Sequence, residues 1–350
     1  MWSSLSLGRR LAVPPLSRPP WRSLLPQTGD GQSGVPLPRE SGPMRLAAPP
    51  ARWLVLTTLR ARTGEHLRKV ARHAVAKGAH LVLAYYEGQH PSGLVDPLAR
   101  LAQRARFLRR RLGVCVDLVD GVLRSRRDLL ALVDGADLVC LVDANEPPAA
   151  RALMPDLLTV LLRAGSAPVW VVQDASETRF TTLHCCTRLS PADAVLLPWA
   201  QALAPARGIH LVHVLETTMP VPEPRESAQH VVFDHMLRQW RMRAYQSLEQ
   251  WALPLRAAGW RPMLTVLLGN VEEVLAQHAR SAWHGVVLLG HRRRRCWPGE
   301  RSSLVHRVAA LGIDVLAVPL PRQPWPRRAG QALVRWLGLR AAQSRGAAWP

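Results

Sequence analysis

From Arg52 onward, short apolar runs rich in Val and Leu alternate with longer stretches whose apolar positions recur every three or four residues. Runs of the first kind fit strands buried on both faces. The second spacing fits helices with one apolar stripe. The pattern predicts strands over Trp53–Leu59, His80–Tyr86, Val114–Val119, Leu138–Val142 and Val169–Val172. Between them it predicts helices over Glu65–Lys77, Pro97–Leu112, Arg124–Val133 and Leu153–Arg163. Strands that alternate with helices of this length imply βαβ units and a parallel sheet.

The alternation starts again near Thr178. Strands are expected over Phe180–Cys186, Ile209–Leu215, Pro262–Leu268, Gly285–Leu289 and Val315–Val318. Helices are expected over Ala192–Leu203, Val232–Ala257, Val271–Ala282 and from Ser303 to Leu311. The halves echo each other. GAHLVLAYYE at Gly78 resembles GIHLVHVLE at Gly208, and VWVV at Val169 resembles VLAV at Val315. A repeat this long means two copies of one domain rather than a solenoid. The expected fold class is α/β, with two consecutive doubly wound domains that each hold a five-stranded parallel sheet. The domains span 51–175 and 178–320, and the short link Asp174–Thr178 implies that they pack side by side as a pseudo-dimer.

Residues 1–50 carry Pro, Arg and Ser without a continuous apolar segment, and read as an arm that buries little. A transit peptide and a translation start at Met44 are the alternatives. Residues 321–350 form a basic tail in which Leu333, Trp336, Leu337 and Arg340 outline a short amphipathic helix. Such a helix suits an anionic membrane or a nucleic acid, or packs on its own domain.

The chain has 350 residues, enough for about two domains, and a net charge of +21. Its basic residues are 44 Arg and two Lys. That balance favours anionic partners, beside the plainer reading of a solvated arginine-rich surface. No 18-residue apolar run occurs, so no membrane span is expected. Five cysteines without framework spacing point to a reducing compartment, hence to the cytoplasm.

The segment GVVLLGHRRRRCWPGERSSLVHRVAALGIDVLAVP, from Gly285 to Pro319, reads as strand, loop, helix, strand. A glycine-bearing loop that feeds a helix N-terminus can hold a phosphate. The segment resembles the C-terminal signature of universal stress proteins, Gly-x-x-Gly followed after nine residues by Gly-Ser or Gly-Thr. The resemblance covers about Arg52–Gln173 and Thr178–Pro319. It implies the Rossmann-like fold of the adenine nucleotide alpha hydrolase group, with ATP or another adenine nucleotide as the ligand. In the second half the implied nucleotide site is Gly269, Val271, Gly290, Arg292, Arg293, Ser302 and Ser303. Arg293 stands in place of the second glycine, Ser302 and Ser303 in place of Gly-Ser, and the loop is one residue short.

Nucleotide-binding members carry an aspartate after the first strand. Here Cys186, Thr187 or Arg188 falls there, and Thr58–Arg60 in the first half. The first half also has DANEPPAARALMPD in place of the glycine loop, with Asp143, Glu146 and Asp156 where phosphate would sit. It reads as a copy that binds no nucleotide. His184, Cys185 and Cys186 invite a metal or redox reading, but lack four ligands and a CxxC spacing; a buried pair of small residues is the simpler account. His66 and His73 read as surface or core histidines. No GxSxG or HExxH pattern occurs, and nothing argues for an enzyme.

The reading is a non-enzymatic stress-response protein that acts as a regulatory or interaction module toward an unidentified protein partner, with at most weak nucleotide binding in the second half. The alternatives are a genuine ATP-binding stress sensor and a basic protein associated with nucleic acid. A pseudo-dimer within the chain, or a homodimer, is the expected assembly.

Overall fold

The structure is a computed structural model. It describes residues 51–59, 63–87, 94–142, 153–173, 182–204, 208–216, 228–281, 285–292 and 304–321. The N-terminal arm, the link at 174–178 and most of the C-terminal tail lie outside the described residues.

In the first half, β1 (Arg52–Thr57), β2 (His80–Tyr85), β3 (Val116–Leu118), β4 (Leu138–Leu141) and β5 (Val169–Val171) alternate with α1 (Thr63–Lys77), α2 (Pro97–Leu112), α3 (Arg126–Asp134) and α4 (Leu153–Ala164). The second half holds β6 (Thr182–Cys186), α5 (Leu196–Leu203), β7 (Ile209–Leu215), α6 (Ala228–Ala257), β8 (Met263–Leu268), α7 (Val271–Ser281), β9 (Gly285–His291), α8 (Leu304–Ala310) and β10 (Val315–Pro319). The expected helix over Ala192–Leu203 is split. A 3-10 turn at Pro191–Val195 precedes α5, with Pro191 in its first turn.

One difference from the expected pair of five-stranded sheets concerns strand number. All ten strands form one sheet, in the order β3-β2-β1-β4-β5-β10-β9-β6-β7-β8. Each half runs parallel within itself. The halves meet where β5 pairs antiparallel with β10, Val315 opposite Val171 and Ala317 opposite Val169. An open edge strand presents unpaired N–H and C=O groups, and pairing the two edges satisfies both. Read inward from either end, the strand order is the same.

Alternation along each strand sorts the core into two layers. Trp53, Val55, Leu81 and Leu83 face α1, α2, α5 and α6. Leu54, Leu56, Val139 and Leu141 face α3, α4, α7 and α8. Both layers run through both halves without a break. Side chains reinforce the junction. Lys69 on α1 makes a buried ion pair with Asp314 ahead of β10, at 3.0 Å. Asp314 also accepts from the Gln173 amide at 2.8 Å. Lys77 donates to the Ala204 carbonyl at 2.8 Å, and His291 donates to that of Leu162 at 3.1 Å. Trp170 packs edge-on against both Trp53 and His73. No helix among the described residues is long and apolar enough to cross a membrane.

Candidate functional site

Ligands of open α/β sheets bind outside the C-terminal ends of strands, where neighbouring connections leave in opposite directions. In the second half that point lies between β6 and β9, since the chain runs from β6 outward to β7 and β8 and returns to β9. A cavity of about 630 Å3 opens there. Its walls come from the ends of β6, β7 and β9 and from the first turns of α7 and α8.

The wall after β6 is a tight turn. Thr187 Oγ1 accepts from the Leu189 amide at 2.9 Å, and Leu189 adopts a left-handed φ of 59°. A leucine there is strained, by about 1–2 kcal/mol, and the surroundings hold it. The 3-10 turn folds Asp193 back beneath this loop. Asp193 is 3% exposed, and its carboxylate accepts from the Arg188 amide at 2.8 Å and from the Ser190 amide at 3.4 Å. His213 on β7 donates from Nδ1 to the Thr187 carbonyl at 2.8 Å. The first half repeats this turn 130 residues earlier. Thr57 Oγ1 accepts from the Leu59 amide at 3.0 Å, and Leu59 has φ 55°. Thr63 stands where Asp193 does, so the first half lacks the acid.

The opposite wall is α7. Gly269 has φ 128°, a conformation open to glycine, and begins the turn into the helix. Asn270 Oδ1 accepts from the Glu272 amide at 2.8 Å and so caps the helix from within the chain. Glu272 and Glu273 occupy the first turn. Glu272 also pairs with Arg307 of α8 at 2.7 Å. A helix start that is already capped and carries two acids offers little to a phosphate.

Of the sequence-predicted residues, the cavity gathers Gly269, Val271 and Gly290. Gly290 supports packing: a Cβ there would come within 2.8 Å of the Leu320 side chain. Arg292 is exposed and is not among the cavity's lining residues. Arg293, Ser302 and Ser303 lie outside the described residues, as do Asp143 and Glu146 of the first half. Sequence reasoning missed Asp193, His213, Glu272 and Arg307. Asp193 had a signal in Ser190-Pro191-Ala192-Asp193, a Ser-x-x-acid spacing with proline in its first turn. His213 and Arg307 had none, because they approach the cavity through the sheet's register and the α7–α8 packing.

Cys186 lines the cavity, but burial pushes its thiol up to about 12. Cys185 is also held well above the usual thiol value, by burial first, then by Cys186 and Asp193. Neither is a thiolate near neutral pH. His184 and Cys185 are consecutive on a strand and so face opposite layers. His184 Nδ1 meets His210 Nδ1 at 3.1 Å instead. Among the described residues no three His, Cys, Asp or Glu side chains gather as a metal set.

No protein-family model matches the chain, and no curated protein matches it in sequence. Solved structures do match in fold. A functionally unknown protein from Pseudomonas aeruginosa PAO1 superposes with a TM-score of 0.55 at 16% identity, over 77% of this chain and 93% of its own. A putative universal stress protein from Pseudomonas aeruginosa UCBPP-PA14 gives 0.55 and 16%, over 77% and 94%. Coverage of 77% exceeds what either half holds, so each match runs through both. What this chain shares with solved universal stress protein-like structures is therefore the α/β fold, over a stretch that takes in both of its halves.

Proposed function

We propose that this protein is a stress-response module of the universal stress protein type that acts by binding, not catalysis, and that its second-half cavity holds nucleotide weakly at most. The observation that carries this reading is the α7 start: Asn270 caps the Glu272 amide at 2.8 Å, and Glu272 is paired with Arg307 at 2.7 Å. The cap and the acids that would oppose a phosphate belong to the protein itself. The shared strand order supports a duplicated domain whose halves replace the two subunits of a dimer. The raised cysteines support a non-catalytic role, and a cytoplasmic setting accords with free thiols.

The genuine ATP sensor remains the second reading, favoured by the cavity's place at the strand-order switch. Native mass spectrometry of the protein purified from its host separates the two. A mass equal to the bare chain is expected, whereas a stoichiometric adenine nucleotide retained through purification would overturn the proposal.

A further inference from the structure

At the far edge of the sheet from this cavity, α2 carries six arginines in 16 residues and no acid. An arginine-rich composition does not account for that. The corresponding helix of the second half, α6, has 30 residues with only Arg238, Arg241, Arg243 and Arg256, and includes Asp234 and Glu249. The last-turn arginines Arg109, Arg110 and Arg111 suit the negative end of the helix dipole, and Arg109 also donates to the Val116 carbonyl. Helix chemistry does not explain Arg100, Arg104 and Arg106. Arg100, Arg104, Arg106, Arg110 and Arg111 have no acidic partner among the described residues.

The arrangement is a face, not a scatter. Arg100, Arg104, Phe107 and Arg111 are spaced three or four residues apart along one side, with Arg110 beside them. Phe107 is 40% exposed within this frame. It and Arg104 border two adjoining depressions of about 590 and 250 Å3. The Arg104 guanidinium lies across Gly64 of α1, 3.1 Å from where a Cβ would stand, so the two helices form the groove together.

We infer that this face binds single-stranded nucleic acid, with the guanidinium groups on the phosphodiester backbone and Phe107 under a base. Guanidinium forks match phosphate oxygens two at a time, and the helix uses Arg throughout with no Lys. An exposed aromatic ring amid arginines is the stacking element of single-strand binders, which read no particular sequence. A membrane fits less well. Interfacial helices insert a broad apolar face, but Leu101, Ala105 and Leu108 are buried against the sheet and only Phe107 projects. An acidic protein would leave the aromatic ring without a role.

The test is fluorescence anisotropy of the full chain with a labelled oligonucleotide of about 20 nucleotides, across about 50–200 mM salt. Replacing Arg100, Arg104, Arg110 and Arg111 by serine is expected to weaken binding at least about tenfold and to flatten the salt slope by about 3, at about 0.7 per lost phosphate contact. Phe107→Ala should weaken it about fivefold or more at an unchanged slope, and Phe107→Trp should retain it. Replacing the four α6 arginines by serine removes the same charge and should change affinity less than about threefold, far short of a loss set by net charge alone. Melting curves confirm that each variant is folded. The inference is overturned if the full chain does not bind, if the α6 variant loses as much as the α2 variant, or if Phe107→Ala binds normally. Tighter, Arg104-dependent binding to polyglutamate or to anionic vesicles would overturn it as well.

Discussion

Asp193 carries only a short capping signal in the sequence, yet the β6 loop rests on it. Its carboxylate satisfies the Arg188 and Ser190 amides beneath the β6 loop. Leaving buried donors unmet costs about 1–3 kcal/mol. Asp193→Ala should therefore lower stability by about that much, with Asp193→Asn in between, as read by denaturant melts. Lys69 and Asp314 are a second such pair, 3 and 2% exposed. Breaking a buried ion pair on one side costs about 3–5 kcal/mol, whereas replacing both partners with neutral residues can restore much of it. Lys69→Met alone should be severely destabilising, and Lys69→Met with Asp314→Asn milder. His291 adds a pH dependence. Burial lowers its pKa below the usual 6.5, the His306 charge adds to this and the Leu162 carbonyl opposes it. A depressed folded-state value means that the contribution is complete above the unfolded value and is lost as pH falls through the folded one. Stability should decline below about pH 6.5, and His291→Gln should flatten that decline.

At the scale of elements, the strand and helix alternation was legible because parallel strands buried on both faces are continuously apolar, while helices keep a stripe. The end of β6 was not. The Ser190-Pro191-Ala192-Asp193 spacing marks a first turn, but it does not say that this turn is a 3-10 turn set ahead of α5, or that Asp193 also holds the Arg188 amide. The β5–β10 junction was equally silent, since two short apolar edges look alike whether they face solvent or each other. Trp170 sits in that junction, 3% exposed and paired with Leu316. Trp170→Ala should cost about 3–5 kcal/mol and should loosen the halves more than the strands within either half. Hydrogen exchange would register this as protection lost first in β5 and β10.

For the whole molecule, the two continuous core layers mean that neither half buries its apolar surface alone. Fragments 51–173 and 178–320, expressed separately and mixed, should associate. Two well-folded monomers at high concentration would contradict a shared core. The nucleotide question is tested most directly by calorimetry of the full chain with ATP and GTP near physiological salt. With α7 capped by Asn270 and its first turn acidic, charge elsewhere can attract a polyphosphate but little fixes its shape. The account predicts affinity no tighter than roughly 0.1 mM, about −5.5 kcal/mol, with the two nucleotides bound alike. Micromolar binding of ATP that discriminates against GTP would contradict it.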